Sequence, residues 1–218
     1  MTRTLNSDRK GPEKVGQAIV FLHGYGADGA DLLGLADVMG PHLPDTAFYA
    51  PNAPERCAGN PFGFQWFPIP WMDGSTEELA RSSMVQSAED INVFLDQVLA
   101  AEEITVDQLA VIGFSQGTMM ALEVLPRRPQ PVAAIVGFSG RLLGPERLEG
   151  EAASKPPVLL LHGDADPVVP FADLGKAETA LKSAGFDVES FVMKGTGHGI
   201  SQDGLVTALA FLKKHLKI

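Results

Sequence analysis

Cysteine is almost missing from this chain, with Cys57 the single one in 218 residues. That excludes an intramolecular disulfide, and no cysteine cluster exists to hold a structural metal. Basic residues are scarce as well, 17 Lys and Arg against 27 Asp and Glu, for a net charge of −10. A phosphate backbone would be repelled over most of such a surface, so nucleic acid is not an expected partner. No apolar run approaches the ~18 residues that a membrane span needs, and residues 1–16 are polar, without the apolar stretch of a signal peptide. The expectation is a cytoplasmic protein in a reducing compartment, with no stable membrane insertion. Disorder is excluded too, because 45% of the residues are hydrophobic and 20% charged, close to globular averages.

What is present is a chain long enough for one compact domain, with 23 Gly and 16 Pro to make sharp turns. A polar tail or edge segment at 1–16 precedes a single domain at 17–218. Short β-branched runs alternate with amphipathic stretches. Strands are predicted at 17–22, 46–50, 108–113, 132–138, 157–161 and 188–193, and helices at 28–40, 77–102, 115–125, 173–184 and 201–217. That alternation implies βαβ crossovers: an α/β fold with a mostly parallel central sheet and helices on both faces. Ligands of such sheets bind at the carboxyl ends of the strands.

The strand at 108–113 runs directly into Gly113-Phe114-Ser115-Gln116-Gly117 and then a helix. This is the G-x-S-x-G pattern in the strand-turn-helix setting it requires, which makes Ser115 a nucleophile candidate. The helix start aims the Gln116 backbone N–H at the place where negative charge would develop. Ser115 as an ordinary helix cap is the bland alternative.

A base must reach Ser115 from another loop at the strand ends. His42 and His215 stand at helix ends, and His23 and His162 each close a strand ahead of a glycine as packed residues that shape their loops. His198, in Gly195-Thr196-Gly197-His198-Gly199, follows the last strand and is the candidate base. The acid belongs between serine and histidine, on the loop His162-Gly163-Asp164-Ala165-Asp166-Pro167-Val168-Val169-Pro170. Asp166, stiffened by Pro167, is favoured over Asp164, which reads as a turn residue.

A second oxyanion donor is expected from His23-Gly24-Tyr25-Gly26-Ala27-Asp28-Gly29. With these four segments, the chain resembles the carboxylesterase/phospholipase family of α/β hydrolases, which includes bacterial carboxylesterases and the acyl-protein thioesterases, also called lysophospholipases. The resemblance runs from about Gln17 to the end. It implies an α/β-hydrolase fold without a large cap domain, a triad of Ser115, Asp166 and His198, and oxyanion donors on the backbone of Tyr25 and Gln116. The family often has leucine at the position of Tyr25. It also has a shorter segment where 59–74 carries Trp66, Phe67 and Trp71 between prolines.

The long stretch 51–74 is too apolar for a disordered connector. One reading makes it a wall or partial lid of an acyl pocket, with Trp66, Phe67 and Trp71 contacting substrate. The other makes the aromatics anchors that hold a long loop to the core. Val168 lines the same pocket by family analogy, and Cys57 reads as a small buried hydrophobe. The expected function is a serine carboxylic-ester hydrolase for small to medium acyl esters, working through an acyl-enzyme on Ser115 and needing no metal or organic cofactor. A lysophospholipase or acyl-protein thioesterase is the alternative within enzymes, and a noncatalytic ligand-binding homologue the alternative outside them. The partner is a small-molecule ester or thioester; an oligomer is compatible with the sequence, though no apolar stripe marks an interface.

Overall fold

A computed structural model describes residues 2–218; Met1, the first residue of the expected tail, lies outside them. Residues Ser7–Lys10 form strand β1, and Gln17–Leu22 form β2. Two short helices follow, α1 at Gly29–Leu33 and α2 at Leu35–Met39. The helix expected over 28–40 is therefore broken at Gly34, which caps the first and starts the second. Strand β3 is Thr46–Pro51. The long stretch after it contains a small hairpin, β4 at Glu55–Arg56 and β5 at Phe64–Gln65, and the one-turn helix α3 at Pro70–Asp73.

From there the elements follow the sequence pattern closely: α4 at Glu77–Glu102, β6 at Leu109–Phe114, α5 at Gln116–Val124, β7 at Ala134–Phe138, the short α6 at Leu148–Glu151, β8 at Val158–Gly163, α7 at Ala172–Ser183, β9 at Val188–Met193 and α8 at Gln202–Leu216. The helix ends carry the capping chemistry that orphan N–H groups need. Thr76 Oγ1 accepts from Leu79 N at 3.1 Å, Asp28 Oδ1 from Asp31 N at 3.0 Å and Ser201 Oγ from Gly204 N at 3.1 Å. Among the described residues, no helix is long and apolar enough to cross a membrane.

The seven-stranded sheet has the order β1-β3-β2-β6-β7-β8-β9, parallel throughout except for β1. Period-two alternation divides its residues between two cores. In β2, Ala18, Val20 and Leu22 face the core completed by Ile91 and Leu95 of α4, Met120 of α5 and Leu181 of α7. Ile19 and Phe21 face the opposite core, completed by Leu32 of α1, Met39 of α2 and Leu212 of α8. Burial on both faces is why these strands read as continuous apolar runs.

Residues 3–10 are docked against this body. Asp90 of α4, fully buried, accepts from Arg3 N at 2.6 Å and Arg3 Nε at 2.7 Å. Strand β1 pairs antiparallel with β3 along the sheet edge. A polar strand exposed at an edge carries no apolar signature, so periodicity cannot reveal it.

Arg9 of β1 forks onto Glu102 at the end of α4, with contacts of 2.7 and 3.0 Å, and Tyr49 donates its hydroxyl to the same carboxylate. The Arg9 guanidinium, first among these partners, holds the Glu102 carboxyl below its ordinary range. A carboxyl depressed by folding stabilises the fold above its unfolded value near ~4.3, and that contribution fades as pH falls through the folded value. Glu102→Gln is expected to cost about 1 kcal/mol at pH 7. Chemical denaturation repeated down to acid pH should find the difference from the native chain shrinking below roughly pH 4.

Candidate active site

Strand β6 ends and α5 begins at a single residue, Ser115, whose φ of 52° and ψ of −114° put a side-chain-bearing residue in the half of backbone space that favours glycine. Such strain, of the order of 1–3 kcal/mol, persists only where its surroundings over-determine it. Here they do. Ser115 N donates to Phe138 O at 2.8 Å, fixing the turn to the neighbouring strand. Gly117 lies so close to β2 that a Cβ there would stand 1.8 Å from Leu22 O, so only glycine permits the approach.

The same closeness lays the loop after β2 against the serine, with a Cβ on Gly24 meeting Ser115 Cβ at 3.4 Å. Among the described residues, neither Tyr25 N–H nor Gln116 N–H has a protein acceptor. Both expected donors are therefore unpaired, and Gln116 N–H lies at the positive end of the α5 dipole.

On the next loops, His198 Nδ1 donates to Asp166 Oδ2 at 2.8 Å, while Asp166 Oδ1 accepts from Val168 N at 2.8 Å and Val169 N at 3.0 Å. The Asp166 side chain is wholly buried. Burial by itself raises its carboxyl, but the bonds from His198, Val168 and Val169 outweigh that and hold it below the ordinary range, so it stays ionised at neutral pH. The acid and base loops meet through Gly163, where a Cβ would stand 2.2 Å from Thr196 O. Asp164 is turned away from His198, and its Oδ1 accepts from Gly195 N at 2.7 Å, which braces the base loop.

The His198 ring lies 5.0 Å from that of Phe114, beside the serine. No hydrogen bond joins Ser115 Oγ to His198 among the described residues, a contact that in substrate-free hydrolases is commonly loose and tightens with substrate.

The other histidines do different work. His23 Nδ1 donates to Gly24 O at 2.8 Å and its Nε2 accepts from Ala53 N at 2.9 Å, which fixes a neutral tautomer. Burial also pushes its imidazole below the usual range. His215 packs on Phe211 at 4.3 Å, lowered by burial and by Lys214. His42 is exposed in a one-turn 3₁₀ helix. Cys57 is buried.

The aromatic segment corrects one expectation and divides the rest. Trp66 has no exposed surface. Its backbone N donates to Gln116 Oε1 at 2.9 Å, its indole Nε1 donates to His23 O at 2.9 Å, and Ser87 Oγ donates to its carbonyl. Gln116 Nε2 donates in turn to Phe67 O at 2.7 Å, and Phe67 is also buried. Trp66 and Phe67 are thus anchors behind the serine turn rather than pocket contacts. The indole takes this place because its apolar body fills the core while its N–H finds the His23 carbonyl. Trp71 and Val168, by contrast, are 73% and 58% exposed.

The contacts of three residues carried no signal in the sequence. The Gln116 side-chain clamp depends on a partner 50 residues away. Tyr25 donates its hydroxyl to Asp73 Oδ2 at 3.3 Å, tying the oxyanion loop to α3. Arg141 stands 6.0 Å from the Trp71 ring centroid and 2.6 Å from Asp173.

A family model described as Phospholipase/Carboxylesterase matches residues 9–216, nearly the whole chain. The chain belongs to this family. It is accordingly an α/β-hydrolase enzyme acting on carboxylic esters. Among its relatives is the esterase YpfH of Escherichia coli, 30% identical over 206 residues that cover 93% of this chain and 84% of that protein. Acyl-protein thioesterase 1 of Saccharomyces cerevisiae is also 30% identical, covering 92% of this chain and 93% of the yeast protein. Among solved structures, esterase PE8 superposes with a TM-score of 0.91 at 42% identity, covering 97% of this chain and 99% of that one.

Proposed function

We propose that this phospholipase/carboxylesterase family member hydrolyses small to medium acyl esters through an acyl-enzyme on Ser115. The observation that carries the reading is the His198–Asp166 pair at 2.8 Å on loops beside a strained serine turn, with the N–H groups of Gln116 in that turn and of Tyr25 in the loop after β2 unpaired among the described residues. His198 Nε2 takes the Ser115 proton as Oγ attacks the acyl carbon, and Asp166 holds the imidazole by Nδ1 and stabilises it once charged. The carbonyl oxygen, now an anion, is received by the N–H groups of Tyr25 and Gln116. Collapse of the intermediate passes the proton to the departing alcohol. Water, activated by the same imidazole, then releases the acid and restores Ser115.

In this reading Trp71 and Val168, both exposed, are the apolar contacts of the acyl chain, and the buried Trp66 and Phe67 support the serine turn from behind. Apolar contacts this exposed enclose little of a long chain, which favours short and medium acyl groups. A thioester follows the same course with a thiol leaving, and the likeness to a yeast protein named acyl-protein thioesterase 1 supports that second reading.

Hydrolysis of p-nitrophenyl esters from acetate to palmitate, with matched thioesters, tests the reading. Peak kcat/KM is expected between acetate and octanoate. An organophosphonate probe should add one mass increment, located by peptide mapping at Ser115. A maximum at palmitate would move the assignment to a long-chain lysophospholipase or thioesterase, and a probe adduct elsewhere would remove Ser115 as nucleophile.

A further inference from the structure

Asp166 is a buried carboxylate, and such a group needs donors for all of its lone-pair directions. Two backbone amides serve Oδ1, and His198 serves Oδ2. His162 Nε2 stands beside Oδ2, 3.3 Å away. His162 is the second-last residue of strand β8 and is itself 1% exposed. Its Nε2 also faces Val169 O at 3.0 Å. A carbonyl oxygen only accepts, so Nε2 must bear the proton; it donates to Val169 O and lays the positive end of the N–H dipole beside the carboxylate. The Phe171 ring, 6.2 Å away and close to perpendicular, fixes the plane of the imidazole.

The geometry points to His162 as a positioning residue for the acid–base pair. By donating to Val169 O it sets the shape of the loop that presents Asp166, and its N–H dipole lies 3.3 Å from the oxygen that orients His198. The contacts close on themselves: Val169 N donates to Asp166 Oδ1, Val169 O accepts from His162, and the same His162 nitrogen stands 3.3 Å from Asp166 Oδ2. Rotation of the carboxylate would break several of these at once. His162 and His198 are the ionisable side chains against Asp166, since Asp164 of the same loop is turned to Gly195 N. The proposal rests on Ser115, Asp166 and His198 acting as argued above, and adds a residue outside that set.

Removal of the His162 donor has a direction that a merely structural role would not produce. Without it Asp166 is more basic, holds the His198 imidazolium more tightly, and moves the acid limb of the kcat/KM profile to higher pH. His162→Leu, which keeps bulk and loses the donor, is expected to lower kcat by ~10- to 100-fold through misplacement of the pair. The acid limb should also rise by about half a unit. His162→Gln, whose amide N–H stands where Nε2 does, should recover most of both. An unmoved acid limb in His162→Leu, or a Gln variant no better than Leu, would overturn the proposal.

Nitrogen-15 spectra of the native protein provide a measurement that does not depend on any variant folding. The proposal requires His162 to carry its proton on Nε2 at the pH of maximal activity, and a proton on Nδ1 instead would sink it. Throughout, turnover in Ser115→Ala is the separate control. If that persists, the nucleophile reading has failed; if it is abolished while the His162 variants behave like the native enzyme, only the role of His162 has.

Discussion

Ser115→Ala should lose ester hydrolysis by about 10⁴- to 10⁶-fold in kcat/KM, because no other group near the carbonyl can form the acyl bond. The stability consequence separates chemistry from folding. Ser115 is buried and sits at a φ of 52°, and alanine keeps that strain, so its melting temperature should stay near that of the native chain. Ser115→Gly removes the Cβ from an unfavourable conformation, a relief of about 1–3 kcal/mol, against roughly 1 kcal/mol of added entropy in the unfolded chain. The glycine variant is therefore expected to be as inactive as the alanine variant and at least as stable as the native enzyme. Thermal denaturation beside the p-nitrophenyl butyrate assay decides the matter. A glycine variant that melts several degrees below the native protein would show that the turn stores no strain. Activity within tenfold of native in either variant would remove Ser115 from the chemistry.

The second large effect concerns the two tryptophans, which lie close in sequence and differ in role. Trp66→Ala empties a fully buried site and strands the His23 carbonyl that the indole N–H satisfies. Such a truncation costs about 3–5 kcal/mol, or a fall of ~10 °C in Tm for a chain of this size. Activity should fall as well, since Trp66 N and Phe67 O are the partners that hold the Gln116 side chain behind the oxyanion donor. Trp71→Ala, on an exposed turn, should leave stability within about 0.5 kcal/mol of native. Its effect should appear instead as a raised KM for butyrate and octanoate esters, with acetate little changed. If Trp66→Ala kept its Tm and shifted chain-length preference, Trp66 would be a pocket wall after all.

That pair of residues marks where the sequence stops being legible. Gly113-Phe114-Ser115-Gln116-Gly117 announces its turn locally, because strand, glycine spacing and helix lie within a few residues of one another. The choice of Asp166 over Asp164 was also readable, because the proline that stiffens the loop directly follows the acid. Trp66 and Trp71 offer no such difference: both stand among prolines in one apolar stretch. What separates them is the carbonyl of His23 and the amide of Gln116, each contributed by a distant segment. Strand β1 was hidden for another reason. This segment is held by the pairing of β1 with β3 and by ion pairs of Arg3 to Asp90 and Glu55 and of Arg9 to Glu102, none of which imposes a hydrophobic period on residues 3–10.

The sequence by itself determined the α/β class, the alternation of strands and helices, and the order serine, aspartate, histidine along the chain. These depend on local periodicity and on glycine and proline at turns, interactions that span a few residues. Tertiary structure alone decided which aromatics support the site and which face solvent. It also decided that Gln116 uses its side chain as a clamp and that His162 stands beside the carboxylate that His198 bonds. Those contacts join residues on different loops, and burial and hydrogen-bond distance exist only once the sheet has brought the loops to one edge.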